Sequence, residues 1–449
     1  MTTFLYDLST TGAISFSDFI NDPDNSFTRR LSEITQLRSR LRGFLKESKR
    51  TDGEKDYLTI IKIIDDYLPH LQGVMNCVND HELELKFEPV FSWRTTLSAN
   101  FLNNSPRMAL QSLNAEHASS LLTYAFAHSN LARAIVASLG PYEHDRAISQ
   151  AEREAKEEQL KHATNHLSRA SGIFTYLSET VLSELQQSAS VSKFKLPPDL
   201  LPEVNTALSR MTLADAQTLA IRKLLSKSFY DGNIAPGPPL PKSHPAPGLI
   251  AKLHLECVSL YSTARTLAKT PSASSKSSED VSPELRHYLA DETSLNSALA
   301  KKWLGIDAGE NGGQKRGGEA VGFLIWAKKE LQDIKDGGKG AALAKGEKEK
   351  RDRNLRKEKV AIELETIDSW LKHYQKVNDT IHFQPVPSQA ELQSRIPTGV
   401  SAVFSIPYVP QKPAFGPGSD ARSQKEQATL DQGDSMSGSS TYAGAGEYY

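Results

Sequence analysis

The histidines of the chain do not form a metal-binding or catalytic pattern. The segment HELEL, 81–85, begins like the zinc motif H-E-x-x-H, but Leu85 stands where the second histidine would bind the metal. His244 and His254 lie ten residues apart, which is poor ligand geometry, and we expect His254 to border the hydrophobic core. The sequence therefore predicts no metal site.

Glycine, serine and cysteine patterns also give no catalytic centre. The segment GENGGQKRGGEAVG, 309–322, contains no G-K-[ST] and lies between predicted helices, so a flexible loop is favoured over a phosphate cradle. The chain has no G-x-S-x-G nucleophile elbow. Cys77 and Cys257 fall inside apolar helical patterns, where we expect two buried thiols rather than a disulfide or zinc ligands. We predict that the protein is not an enzyme and holds no cofactor.

Composition and charge narrow the class of protein further. The 449 residues include 53 Lys and Arg and 54 Asp and Glu, a net charge of −1, so no basic field points to nucleic acid. No run approaches the roughly 20 apolar residues of a membrane-spanning helix. The N-terminus, MTTFLYDLSTTG, lacks the basic and apolar regions of a signal peptide. We expect a soluble, cytoplasmic chain that reaches membranes through a partner or a surface patch.

Apolar residues recur at spacings of three and four along most of the chain, which predicts a mainly α-helical fold. Pro69 should kink or end the second predicted helix, and Ala170 with Gly172 should let another helix approach the fourth closely. Minor β structure is expected within 1–28, in TFLYDL and AISFSDFI, and 85–97 should be an irregular connector. The predicted helices cover 27–46, 56–78, 113–139, 152–185, 205–230, 248–269, 285–303, 320–335 and 355–381.

The central pair of predicted helices is divided by a proline-rich insert, 231–248, which should be neither helix nor central strand. On the first helix, one face is expected to be apolar and to pack in the core: Leu213, Ala216, Ala220 and Leu224. The opposite face is polar: Asp215, Thr218 and Arg222.

The same pair of helices offers candidate partner-binding residues. Leu249 and Leu253 are one turn apart with Lys252 beside them, and the first helix could add Leu219, Ala220 and Lys223. Apolar side chains edged by lysines suit an amphipathic helix that carries carboxylates at its margin. From periodicity alone, core packing of these residues remains the alternative.

The C-terminal third contains three further segments of distinct composition. Residues 345–359 hold eight basic and four acidic side chains; a solvated helix face is the default interpretation, and weak contact with an anionic membrane is the alternative. Prolines recur through 383–417, which predicts an extended segment that wraps a surface. Residues 418–449 are rich in Ser, Gly and Gln and are predicted to be disordered.

Six segments, taken in order, resemble the Bro domain of Alix-like endosomal adaptors. They are FSWRTTL (91–97), SLNAEHASSLLTYAFAHSNLA (112–132), NHLSRASGIFTYLSETVLSEL (165–185), MTLADAQTLAIRKLL (211–225), LIAKLHLECVSLY (249–261) and NDTIHFQPVPSQAELQSR (378–395). The resemblance implies one domain over 1–417, a curved, boomerang-shaped helical array with a tetratricopeptide-like core.

The resemblance also implies a function and partners. Bro domains hold the C-terminal amphipathic helix of a Snf-type ESCRT-III subunit, and the family's contacts fall here on Ala220, Leu249 and Leu253, with Lys223 and Lys252 at the edge. Nothing after residue 417 resembles the coiled arm of larger members. The chain is similar to short members that act in ambient-pH signalling with plasma-membrane pH-sensing components and a calpain-like protease.

We therefore expect a non-catalytic adaptor that is recruited to plasma-membrane or endosomal sites and promotes proteolytic activation of a transcription factor. The alternative is a helical module that associates with membranes or senses their curvature during endosomal sorting.

Overall fold

Long helices follow one another through the chain, and each packs against the next. A computed structural model describes residues 3–51, 53–98, 106–145, 147–187, 196–234, 238–269, 281–337 and 347–419. Its helices are α1 (Phe16–Phe19), α2 (Thr28–Arg50), α3 (Tyr57–Asn79), α4 (Leu113–Leu139), α5 (Gln150–Tyr176), α6 (Leu182–Gln187), α7 (Pro202–Ile234), α8 (Pro247–Leu267), α9 (Pro283–Asn311), α10 (Gly317–Gly337), α11 (Glu347–Val377) and α12 (Gln389–Ser394).

The helix ends follow local sequence signals. Ser112 accepts the Ala115 amide and begins α4, and Gly140, with φ of +60°, ends it. Ser149 and Glu152 form a capping box at the start of α5. The predicted helix over 56–78 agrees with α3, Tyr57–Asn79, and Pro69 lies inside the helix and does not end it.

The strands of the described ranges are short and lie in the N-terminal quarter of the chain. Strands β1 (Ile20–Asn21) and β2 (Glu84–Leu85) pair with each other, as do β3 (Val90–Arg94) and β4 (Arg107–Gln111), both antiparallel. Half of the β-prone segment AISFSDFI forms helix α1, because Phe16 and Phe19 bury their rings on one side of a single turn, and only its last residue, Ile20, belongs to a strand. The predicted irregular connector, in contrast, contains β3.

A buried carboxylate joins these strands to the helices. Glu116 of α4 accepts hydrogen bonds from Arg38 Nε at 2.8 Å, Tyr67 Oη at 3.0 Å and Trp93 Nε1 at 2.6 Å. Such a charge is tolerated in a core only when it is paired and its lone pairs are satisfied. The network fixes α2, α3, β3 and α4 relative to one another.

The last part of the chain returns along the array. After α11, a π-helical turn (Asn378–His382) and α12, residues 396–415 run without regular secondary structure, and we call this segment the strap. The strap contacts α8 at Lys252, α5 at Ser168 and α3 at Pro69 through backbone hydrogen bonds. Residues 420–449, which include nearly all of the predicted disordered tail, lie outside the described part of the chain.

Within the described ranges, none of the helices has the length and hydropathy needed to cross a membrane. The same residues contain no group of three or more His, Cys, Asp or Glu side chains placed to hold a metal ion.

Candidate functional site on helices α7 and α8

Helices α7 and α8 are antiparallel neighbours. Cys257 Sγ lies 3.9 Å from the Ala214 carbonyl oxygen, and Gln217 Nε2 donates to the Leu253 carbonyl at 3.1 Å. Residue numbers on α8 therefore fall as those on α7 rise. The antiparallel register therefore places Ala220 and Leu224, further along α7, beside the beginning of α8, where Leu249 lies.

Two of the three residues on the polar face of α7, Asp215 and Thr218, are buried, which corrects the sequence prediction. Asp215 and Thr218 face the interior, where Tyr261 Oη and Tyr288 Oη donate to Asp215 Oδ1 at 2.5 and 2.6 Å. The predicted core residue Leu224 is instead 42% exposed. Because other helices pack against α7 on several sides, polar residues outside its apolar stripe are buried, and one leucine of the stripe is exposed.

The structure also separates the six predicted partner-binding residues into two groups. Leu219 and Leu253 are fully buried: Leu219 belongs to a cluster between α4, α5 and α7, and Leu253 to the main core. They offer no surface to a partner in this conformation, and the expectation for these two is corrected, because neighbouring helices enclose both sides of the stripe. Leu249 is 42% exposed and Lys252 is exposed, while Ala220 and Lys223 are half-buried.

The residues that remain at least partly exposed form one candidate surface, which we call the α7–α8 surface. It consists of Ala220, Lys223, Leu224, Leu249 and Lys252. Residues 217, 220 and 224 share one face of α7 by helical spacing, as do 249, 252 and 256 on α8. The surface is thus an apolar strip with a lysine on each helix. The sequence analysis did not include Leu224 among the partner-binding residues, because it predicted that this side chain packs in the core.

The strap borders this surface. Gln217, itself buried, donates Nε2 to the Val400 carbonyl at 2.9 Å and accepts the Ala402 amide at Oε1 at 2.8 Å. The Val400 amide donates to the Lys252 carbonyl at 3.1 Å, and Ser401 Oγ donates to Glu256 Oε1 at 3.2 Å. The predicted extended segment therefore reaches the candidate site, although nothing local in the sequence indicates where.

The proline-rich insert lies beside the same surface. Its first four residues continue α7 to Ile234, contrary to the prediction that no helix could form there. Further on, the ring of His244 lies over Trp303 at a centroid distance of 4.9 Å, and the Leu240 amide donates to Glu310 at 3.4 Å. These contacts hold the insert against α9, just before Leu249.

Residues considered for chemistry have structural roles in the described part of the chain. His254 is buried and bonded to Asn296 Oδ1 at 2.9 Å, and burial lowers its pKa to about 4, as expected for a core histidine. Cys77 and Cys257 are both buried and are not joined in a disulfide, which confirms that prediction. The glycine-rich segment is not the predicted flexible loop: it forms the end of α9, a 3₁₀ turn (Gly313–Arg316) and the start of α10.

The basic run at 345–359 is partly turned inward. From Glu347 onward it forms the start of α11. Arg356 pairs with Asp291 and with Glu292, and Asp352 pairs with Arg133 at 2.6 Å. These ion pairs hold α11 against α9 and α4, so part of the basic run does not face solvent.

A helical array with a short N-terminal β region and a returning strap defines the class of protein. The chain belongs to the family of the BRO1-like domain, whose model matches residues 14–430. All six segments quoted above fall inside that range, and the predicted family is confirmed.

Curated relatives and solved structures agree with this assignment. The pH-response regulator protein palC of Cryptococcus neoformans var. neoformans serotype D (strain B-3501A) is 36% identical over 491 residues, covering 100% of both chains. The family and this relative's name together indicate a non-enzymatic regulator of the adaptor type.

Two solved structures have the same fold. The Alix BRO1 domain in complex with CHMP4C aligns with a TM-score of 0.60 at 20% identity, covering 92% of this chain and 98% of that one. Alix in complex with a SIVmac239 late domain aligns with a TM-score of 0.64 at 18% identity. The alignment covers 96% of this chain and 53% of that chain, so this protein spans about half of it. The predicted mainly α, curved helical array is confirmed.

Proposed function

We propose that this protein is a non-catalytic adaptor that binds the C-terminal amphipathic helix of a Snf-type ESCRT-III subunit on the α7–α8 surface. The observation that carries the proposal is the pair of half-exposed leucines, Leu224 and Leu249, with Lys223 next to Leu224 in the sequence and Lys252 about one helical turn from Leu249. An isolated exposed leucine is unremarkable, but a strip across two adjacent helices suits the apolar face of a partner helix. The solved Alix complex with CHMP4C supports this class of partner.

The chemistry of the surface specifies the partner helix. Leucine or methionine side chains would fill the space between Leu224 and Leu249, and carboxylates would meet the two lysines. Burying two or three such side chains contributes about 1.5–3 kcal/mol each before ordering costs, so we expect a dissociation constant on the order of micromolar.

The binding experiment compares two exposed leucines. Leu249→Asp places a charge at the centre of the strip and should weaken binding of a synthetic ESCRT-III C-terminal peptide at least about tenfold in fluorescence anisotropy. Leu58→Asp is the matched control, because Leu58 is 47% exposed on α3. Circular dichroism should remain helical in both variants. Equal affinity of the Leu249→Asp variant and the wild type would reject the site.

We further propose that the adaptor acts in ambient-pH signalling, as the name of the curated relative suggests. It would work in the cytoplasm at plasma-membrane or endosomal sites and link pH-sensing components to ESCRT-III. A calpain-like protease assembled there would then process a transcription factor. Cells that carry Leu249→Asp should leave the transcription factor unprocessed at alkaline pH, whereas cells with Leu58→Asp should process it normally.

A further inference from the structure

The last turns of α2 carry four basic side chains on one face. At about 3.6 residues per turn, their positions fall within an arc of roughly 100°: Arg42, Lys46, Lys49 and Arg50. Glu47, the acidic residue of this stretch, lies outside that arc. Arg42 and Lys46 are half-buried, whereas Lys49 and Arg50 are exposed. The end of α2 therefore presents its positive charges to the same side.

Two arginines of the neighbouring hairpin add to this charge. Arg94 of β3 and Arg107 of β4 are directly opposite in the antiparallel register, a position in which like charges destabilise a sheet. The pKa of Lys46 is lowered first by the charge of Arg42 and also by that of Arg107. Burial lowers the pKa of Lys49, and the charge of Arg94 lowers it further. Helix and hairpin thus form one group, which we call the α2 basic cluster: Arg42, Lys46, Lys49, Arg50, Arg94 and Arg107.

Carboxylates of the protein leave most of this charge uncompensated. Within the described ranges, no basic residue of α2 after Arg38 forms an ion pair with a carboxylate, whereas Arg38 and two arginines before it do. Arg42 Nε is buried without a hydrogen-bond partner. Asp7 is the acidic side chain that acts on Lys49, and three basic side chains act against it.

The dipole of α2 accounts for only part of the cluster. The partial negative charge at a helix C-terminus stabilises cations in the last turn, which explains Lys49 and Arg50. The effect falls off within that turn, so it does not reach Arg42, and it does not concern the strand residues Arg94 and Arg107. An anion outside the protein would stabilise all six charges.

The composition of the surface favours lipid headgroups as that anion. Among the described residues of α2, β3 and β4, the one exposed large hydrophobic side chain is Val90, at the opposite end of β3 from Arg94. A protein partner would require apolar or aromatic anchors at the centre of its interface, and single-stranded nucleic acid would require aromatic rings for stacking. An anionic membrane requires only clustered lysines and arginines, typically about four to eight.

We infer that the α2 basic cluster binds the surface of an anionic membrane through the phosphate and carboxylate groups of its lipids. Arginine donates two N–H groups to a phosphate, and lysine contributes a point charge. This inference goes beyond the proposed function, because none of the cluster residues belongs to the α7–α8 surface. It also differs from a membrane contact at 345–359, where Arg356 is already paired with Asp291 and Glu292.

Vesicle flotation of the full-length protein tests the inference. At low salt the protein should float with vesicles of equimolar phosphatidylcholine and phosphatidylserine, but not with phosphatidylcholine alone, and high salt should release it. Replacing three exposed cluster residues should weaken binding at least about tenfold: Lys49→Gln, Arg50→Gln and Arg107→Gln. Removing three exposed positive charges from α11 is the matched control and should change binding less than about twofold: Arg351→Gln, Lys357→Gln and Lys372→Gln.

Circular dichroism and affinity for the ESCRT-III peptide should be unchanged in both variants, which separates loss of the cluster from loss of the fold. If the cluster variant loses helicity, Arg107→Gln alone replaces it and should still weaken binding about threefold.

Three flotation results overturn the inference: no flotation of the wild type, equal weakening by both variants, or weakening by the α11 variant alone. Tighter binding of duplex DNA or of inorganic phosphate than of the vesicles also overturns it, because the cluster would then be a site for nucleic acid or for a soluble anion. None of these results affects the proposed function, which depends on peptide binding at another surface.

Discussion

Single buried polar side chains on α7 determine how the site is built. Gln217 uses its amide to join three segments: α7, the Leu253 carbonyl of α8 and the strap at Val400 and Ala402. An aliphatic residue there could not satisfy these backbone groups, and buried groups without partners cost about 1–3 kcal/mol each. The glutamine thereby fixes the edge of the candidate surface.

Asp215 is a second buried polar residue of α7, and its protonation should affect stability. Burial raises its pKa from 3.8 to about 7, and one of its oxygens, Oδ2, has no hydrogen-bond partner. Because the folded state holds the proton more tightly than the unfolded chain, the stability from this group is present below about pH 4 and is lost as the pH rises towards 7.

We therefore expect Asp215→Asn to remove part of the pH dependence of stability. Relative to the wild type, the variant should gain roughly 2–4 kcal/mol between pH 4 and pH 8, since asparagine resembles the protonated acid. Denaturant unfolding of both proteins across this range measures the difference. A difference that stays constant with pH would contradict the assignment. Buried histidines such as His254 titrate in both proteins and cancel in the comparison.

At the scale of elements, the strap passes so close to α5 that it needs a glycine. The Ile406 amide donates to the Ser168 carbonyl at 3.0 Å, and a Cβ on Gly172 would lie 1.8 Å from the Ile406 carbonyl oxygen. The sequence predicted close approach at Gly172, but by another helix. The extended strap approaches instead, because its narrow backbone fits over a position that lacks a side chain.

Two glycine substitutions test this contact. Gly172→Ala should destabilise the protein by about 1–3 kcal/mol, because the strap backbone has to move. Gly43→Ala on α2 is the control: its Cβ would meet nothing within 4 Å, and alanine favours a helix, so stability should be unchanged or increase by up to about 1 kcal/mol. Hydrogen exchange at the Ile406 amide should accelerate in the first variant and not in the second. Equal stability of the two variants would show that the strap adapts without cost.

Over the whole molecule, the strap ties both parts of the array together. It begins on α8 at Lys252 and ends with Phe415 buried against Gly73 of α3 and near Phe27. Between these points Tyr408 packs near Tyr124 and Tyr176 of α4 and α5. One extended segment thus contacts α3, α4, α5, α7 and α8.

Truncation should reveal the contribution of this tie. A chain that ends after Arg395 loses the buried Phe415 ring and the Gln217 contacts, so we expect its melting temperature to fall by about 5 °C or more. A chain that ends after Ser419 keeps the strap and removes residues predicted to be disordered, and it should melt like the wild type. Thermal unfolding followed by circular dichroism compares the two. Equal melting temperatures would mean that the strap adds little to the stability of the array.

The sequence alone determined the family and the helical class, because six ordered segments and the 3.6-residue periodicity are local properties of the chain. The sequence predicted both ends of α4 to the residue, because Ser112 and Gly140 cap the helix through contacts within one turn of its ends. It also identified Leu249 and Lys252 as candidates that the structure leaves exposed.

Only the tertiary structure decided which candidates reach the surface. Periodicity shows that a helix has an apolar stripe, but not how many neighbours enclose it, so Leu219 and Leu253 became core while Leu224 became exposed. The strap was placed by contacts such as that between Gln217 and Val400, which are 183 residues apart. Burial depends on the packing of all the elements together, and no local pattern of residues contains that information.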